Sequence, residues 1–259
     1  MKTRLPALLL PIVFAAAPLS ADIARAPLFV ENFNVQHARV EYRNGAKLGV
    51  PGTGVSGKPG DLAYIGVPST SENERNGPAA LAIAPIAPDA MDAFTCAFWY
   101  YLDEIGPELQ VPLSTAGVLF LLNERGFEIR IEHSIEQPRQ YVFAPGIHGP
   151  HLGWRDSNRW IFAAFSWDSA TNTLVVHQGT PQAAVAFMRE ITRPAPGNPT
   201  LPRADLLRDP ETIGNTSRIQ DRPLAGRLDN LRFYDRVLDR AELEEIRRAD
   251  LVNEPVPLK

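Results

Sequence analysis

The sequence predicts an all-β sandwich carrying one short C-terminal helix, and three observations predict it. Short apolar segments follow one another with turn residues between them, two pairs of segments are spaced as hairpins, and helical periodicity appears only near the end of the chain. Sandwiches commonly use 200–250 residues as one unit, so 259 residues suit a single large domain. Leu28 to Phe33 reads as a first strand and Ala38 to Tyr42 as a second. From Asn44 to Gly60 the glycines at 45, 49, 52, 54, 57 and 60 imply turns and close backbone approaches. Thr70 to Pro78 is a polar loop, and Ala79 to Ala84 and Phe94 to Leu102 resume as strands. Gly117–Asn123 and Phe127–His133 form a hairpin around Asn123 to Gly126. Trp160–Trp167 and Thr173–Gln178 form another, joined by Asp168 to Asn172, and Val185 to Thr192 is a further strand.

Gln137–Asn158 and Arg193–Glu211 are long enough to be functional or mobile loops. At the end of the chain Asp239 precedes Arg240, Ala241 and Glu242. This is a capping box in which Asp239 accepts from free amides and Glu242 reaches back. Leu243, Ile246 and Leu251 then recur at helical spacing, which lays one face on the sandwich.

Lys2 and Arg4 precede an apolar stretch from Leu5 to Leu19 and a small-residue exit at Ser20-Ala21. The pattern predicts a signal peptide over residues 1–21, with cleavage after Ala21 or at Ala24-Arg25-Ala26. Pro6, Pro11 and Pro18 interrupt a run already shorter than the ~20 residues that span a bilayer. No later stretch is apolar enough to span. Residues 22–259 are therefore expected to form one domain outside the cytoplasm: periplasmic, secreted or at the cell surface. A net charge of −4 with scattered Lys and Arg argues against nucleic acid as a partner. Cys96 is the single cysteine, so no intramolecular disulfide forms, and it reads as a small core residue.

Three segments resemble the laminin-G/pentraxin-like (concanavalin A-like) superfamily. Phe94-Thr95-Cys96-Ala97-Phe98-Trp99 is similar to its early strand. Arg159 to Ala164 followed by Thr173 to Gly179 is similar to its central hairpin. Thr212 to Asn215, Leu224 to Tyr234, Val237-Leu238 and Glu242-Leu243 are similar to its ending. The resemblance implies an antiparallel jelly-roll sandwich over about Phe29 to Ala249.

Strict alternation along Leu228 to Tyr234 puts Asp229 on one face with Leu231 and Phe233. A carboxylate there needs a metal, a cation or backbone amides. In the resembled family the corresponding acid helps to hold calcium or fixes the N-terminal segment. Asp229 with Asn32 and Asp61 is thus the expected calcium set, with backbone carbonyls completing it.

Glu128, Arg130 and Glu132 share one strand face, which raises glycoside hydrolysis. But positions i and i+4 lie about 13 Å apart, beyond the spacing either hydrolytic mechanism uses, and Arg130 between them would pair with both. A paired face is the better reading, and the chain is expected not to be an enzyme. His148 and His151 lack the further ligands a zinc site needs. Together with Tyr141 and Trp154 they are instead the expected loop residues for binding a glycan or an extracellular protein. Trp99, Trp160 and Trp167 read as core. A polysaccharide-active enzyme and a surface scaffold remain the alternatives on the same fold.

Overall fold

The computed structural model describes residues 26–36, 40–68, 79–82, 92–103, 110–114, 118–123, 126–132, 141–144, 158–168, 170–171, 173–192, 212–216 and 222–254. The expected signal peptide, the Thr70–Pro78 loop, the Arg193–Glu211 loop, and His148, His151 and Trp154 lie outside the described residues.

The strands in chain order are β1 (Phe29–Glu31), β2 (Val40–Arg43), β3 (Lys47–Leu48), β4 (Tyr64–Ile65), β5 (Ala79–Ala82), β6 (Ala93–Leu102), β7 (Gln110–Ser114) and β8 (Val118–Asn123). They continue with β9 (Gly126–Glu132), β10 (Tyr141–Ala144), β11 (Trp160–Asp168), β12 (Thr173–Gly179), β13 (Ala186–Thr192), β14 (Thr212–Ile213) and β15 (Gly226–Tyr234), and helix α1 (Arg240–Leu251) ends the fold. Among the described residues one sheet runs β13-β12-β11-β6-β15-β4-β3, with β1 also on β15. The other runs β10-β9-β8-β7-β14-β5-β2. All pairings are antiparallel, as in a jelly roll.

Both expected hairpins form, β8 on β9 and β11 on β12. The first long loop is shorter than its sequence suggests, because Tyr141–Ala144 pairs with β9 as an edge strand. The two-residue strands β3, β4 and β14 carry too few residues for a period to show. β7 has Pro112 inside it and reads as a break.

Strands β6, β11 and β15 are buried on both faces, so each reads as a nearly continuous apolar run. Their inner face supplies Phe94, Cys96, Phe98, Tyr100, Phe165, Trp167, Leu228, Leu231 and Phe233 to the core between the sheets. Phe120 comes from the opposite sheet, 5.1 Å edge-on to Phe98 and 6.0 Å stacked on Phe165. Cys96 is wholly buried there, in the role the sequence predicts. The outer face supplies Ala97, Trp99, Phe162, Ala164 and Tyr234, which α1 covers with Leu243 and Ile246.

The helix starts as its sequence signals. Glu242 N–H donates to the Asp239 carboxylate at 2.9 Å, and Asp239 N–H donates to the Glu242 carboxylate at 2.8 Å. The Asp239→Ala variant is expected to lose about 1 kcal/mol of unfolding free energy, read as a lower urea midpoint. An unchanged midpoint would show that packing alone sets the start of the helix.

Candidate functional site

Strand β15 does not alternate as the sequence suggests. Its register against β6 pairs Asp229 with Trp99 but Arg232 with Ala97, so Asn230 and Leu231 on one side face Phe98 alone on the other. This is a β-bulge, and Asn230 absorbs it at φ 51°, a left-handed conformation that Asn tolerates. Leu228 points into the main core before the bulge, and Leu231 and Phe233 do so after it. Asp229 therefore faces the helix side with Trp99 and Arg232, opposite to Leu231 and Phe233. The expectation of a shared face is corrected by that one extra residue.

On the other flank of β15, β4 pairs with Arg227–Leu228 and β1 with Leu231–Phe233. The gap between these two short strands falls at the bulge, and the glycine-rich loop reaches Asp229 there. Val55 N–H donates to one Asp229 oxygen at 2.8 Å, and the next amide, Ser56 N–H, donates to Asp61 at 2.7 Å. A Cβ at Gly54 would lie 2.4 Å from the Asp61 carboxyl carbon, so the loop can close over this acid only with glycine at 54. Asp61 and Asp229 are fully buried, and the Oδ1 of each has no hydrogen-bond partner. Burial first, and the Asp61 carboxylate second, push the Asp229 pKa well above the ordinary carboxylate range; the Val55 and Asn230 amides only partly oppose this.

Beside this pair lies a satisfied one. Arg232 binds Asp250 of α1 through two hydrogen bonds of 2.6 and 3.0 Å, and Asp250 also accepts from the Trp99 indole at 2.9 Å. The other Arg232 contacts are to Asn230, at its carbonyl and its side-chain oxygen. The helix fastens two loops as well. Glu244 accepts from Val185 N–H at 2.8 Å and Arg247 donates to the Thr180 carbonyl at 2.7 Å, while Lys58 reaches the Val252 carbonyl. Most of this face is closed and serves the fold.

One row beyond the helix the outer face opens. Trp160 pairs with Tyr101, Tyr101 with Arg227, Arg227 with Ile65, and Ile65 with Lys47, so five adjacent strands place these side chains in line. Trp160, Tyr101, Arg227 and Ile65 are half-buried and Lys47 is exposed. The Trp160 and Tyr101 rings meet edge to face at 5.6 Å, and the Arg227 guanidinium lies 4.6 Å over the Tyr101 ring. Trp99 and Trp167 are core residues as expected; Trp160 is instead half-exposed at the margin of the helix-side cluster.

Among the expected site residues, the fold brings Asp61 and Asp229 together through Val55 and Ser56. Asn32 accepts locally from Asn34 N–H at 3.2 Å, and it is Asn34 that accepts from Leu62 N–H and donates to Asn253. Tyr141 opens an edge strand opposite Glu132. Glu128 and Glu132 lie four positions apart on β9. Among the described residues no three or more His, Cys, Asp and Glu gather around a common point.

The Trp160–Tyr101–Arg227 row has no motif of its own. It becomes visible only once the register of five strands is known.

Two packed antiparallel sheets with a helix on one outer face define a lectin-type jelly-roll sandwich. The chain belongs to the concanavalin A-like lectin/glucanase superfamily, whose Laminin_G_3 family model matches residues 75–244. No curated protein sequence matches it. Solved structures share the fold at low identity. The binding domain of botulinum neurotoxin DC, in complex with rat synaptotagmin II, aligns at TM-score 0.55 and 9% identity over 82% of this chain and 46% of that one. The binding domain of Paraclostridial Mosquitocidal Protein 1 aligns at 0.54 and 13% over 81% and 47%. Botulinum neurotoxin type C, whose cell entry depends on two ganglioside molecules, aligns at 0.53 and 11% over 82% and 46%. This chain thus spans about half the length of these three.

Proposed function

We propose that the chain is an exported, non-catalytic module that recognises glycans at the end of the sandwich where Leu102, Asn158 and Gly226 meet, with calcium as a structural ion. The observation that carries this reading is the Trp160–Tyr101 pair. Trp160, half-exposed and held edge to face against Tyr101, offers an aromatic surface on which a pyranose can stack its C–H face. Trp160 stands three positions after the 145–157 segment, which holds His148, His151 and Trp154. Tyr141 begins the strand that precedes that segment in the chain, and these four residues stay in the proposal as sequence-based candidates. Ganglioside dependence of botulinum neurotoxin type C supports a glycan; rat synaptotagmin II on its relative makes a protein the alternative partner.

The calcium site is tested by the donors present. Two buried carboxylates with unpartnered Oδ1 atoms suit a hard cation, and calcium takes 6–8 oxygens, so backbone carbonyls must supply most of the rest. Asp61 and Asp229 would hold it, with Asn32 on the adjoining segment, and the ion would neutralise two charges that otherwise repel.

Glycan-array binding by the chain from residue 22 onward, with calcium and with chelator, tests the module. Binding to a defined glycan set is expected, and Trp160→Ala should weaken it about tenfold or more, the scale of losing one good stacking contact. If no sugar binds in either condition, the protein-partner reading replaces this one. Export is tested separately by sequencing the N-terminus of the secreted product, expected to begin at Asp22.

A further inference from the structure

We infer that the Trp160–Tyr101–Arg227 row is a subsite for a sugar ring bearing a carboxylate, a sialic or uronic acid; this rests on the glycan-module reading above and names its ligand class. The Arg227 guanidinium carbon lies 4.6 Å over the Tyr101 ring, a contact that uses the face of the cation and leaves its in-plane N–H donors available to an acceptor. Arg232, Arg236 and Arg247 each hold a carboxylate of this chain, whereas Arg227 makes no ion pair among the described residues. A planar fork of donors, held rigid and unspent beside an aromatic surface, matches a carboxylate through two parallel hydrogen bonds.

The placement of the other groups agrees with an anionic ring. Lys47 lies two strands beyond Arg227 in the same row and adds a second positive charge. On the other side of Tyr101, the half-exposed Trp160 ring provides the aromatic surface for the C–H face of the sugar. The Tyr101 hydroxyl turns toward the Asn158 side-chain oxygen at 3.5 Å, so polar groups border the ring platform where sugar hydroxyls would lie. The next row along the same strands, Phe162, Trp99 and Asp229, is sealed by α1 and the glycine-rich loop. That seal fixes the backbone beneath the subsite, so a ligand would find the row already formed.

The test is calorimetric titration of the chain from residue 22 onward with sialyllactose, an oligogalacturonide, lactose and sulfated lactose. At least one carboxylated sugar is expected to bind about tenfold more tightly than lactose, and the two acid arms distinguish sialic from uronic acid. Arg227→Gln should remove that preference, read as the ratio of carboxylated-sugar to lactose affinity, while Trp160→Ala should weaken both. Near-UV circular dichroism checks that each variant is folded.

An unchanged preference in folded Arg227→Gln would overturn the inference, as would sulfated lactose matching the carboxylated sugars. Neutral sugars binding alone would also overturn it and leave the glycan module standing. Binding of no sugar would remove the module reading itself.

Discussion

Replacing Asp250 with alanine is expected to lower the unfolding free energy by about 3–5 kcal/mol, because it strands a buried charge. The Arg232 guanidinium is 6% exposed, and Asp250, at 1%, is the carboxylate it binds. Once that partner is gone, a guanidinium that cannot lose its proton stays in the interior with only Asn230 to bond. The same change removes the acceptor of the Trp99 indole N–H, which is equally buried. Removing both charges, as Arg232→Met with Asp250→Leu, should recover most of the loss, since a buried pair is often matched by apolar residues of similar volume. Urea unfolding of the two variants decides the matter. A loss below about 1 kcal/mol in Asp250→Ala would mean that water reaches Arg232.

The pair also explains why α1 stays docked. The helix packs Leu243 and Ile246 on the sheet, its polar side chains reach the bulge and the Thr180–Val185 turn, and Lys58 of the glycine-rich loop donates to the Val252 carbonyl at its end. A helix of 12 residues has little stability alone. It is held by this tertiary network, and the network in turn keeps the outer rows of β6, β11 and β15 in place.

Much of this architecture can be read from the residues. The capping box at Asp239 and Glu242 involves neighbours in sequence, so its geometry follows from spacing. Hairpins β8–β9 and β11–β12 announce themselves because each strand is long enough to show its composition and each turn is short. The bulge at Asn230 does not. Its sequence, Leu-Asp-Asn-Leu-Arg-Phe-Tyr, fits unbroken alternation, and only the pairing with β6 shows that Asp229 and Leu231 face opposite ways.

The Trp160–Tyr101–Arg227 row is hidden for the same reason, since its members come from three distant segments. Asp229 and Asp61 are intermediate. Each stands out as an acid in an apolar or glycine-rich setting, but their meeting depends on loop closure at Gly54.

In the metal-free protein, Asp229→Asn is expected to raise stability at neutral pH by on the order of 1–2 kcal/mol and to flatten its pH dependence. The folded Asp229 carboxyl has a raised pKa, so the folded state holds this proton more tightly than the unfolded chain does. Its contribution to stability is full below the unfolded value of 3.8 and is lost as pH rises through the raised folded value. Glu244 has the opposite sign. Hydrogen bonding to Arg247 draws its pKa from 4.5 to about 2, so its contribution is present above 4.5 and lost as pH falls through about 2.

Asp250 is raised too, chiefly by burial. Asp61 and Asp250 both add to the Asp229 shift, so the difference between the wild-type and variant melting curves from about pH 4.5 upward reports Asp229 together with its coupling to these two acids. In the variant, the side-chain oxygen can still accept from Val55 N–H. Calcium reverses the comparison: a cation held by both carboxylates should raise the wild-type melting temperature at neutral pH and leave the variant nearly unmoved. Parallel pH curves for the two chelated proteins would mean that Asp229 is not the titrating group at the bulge.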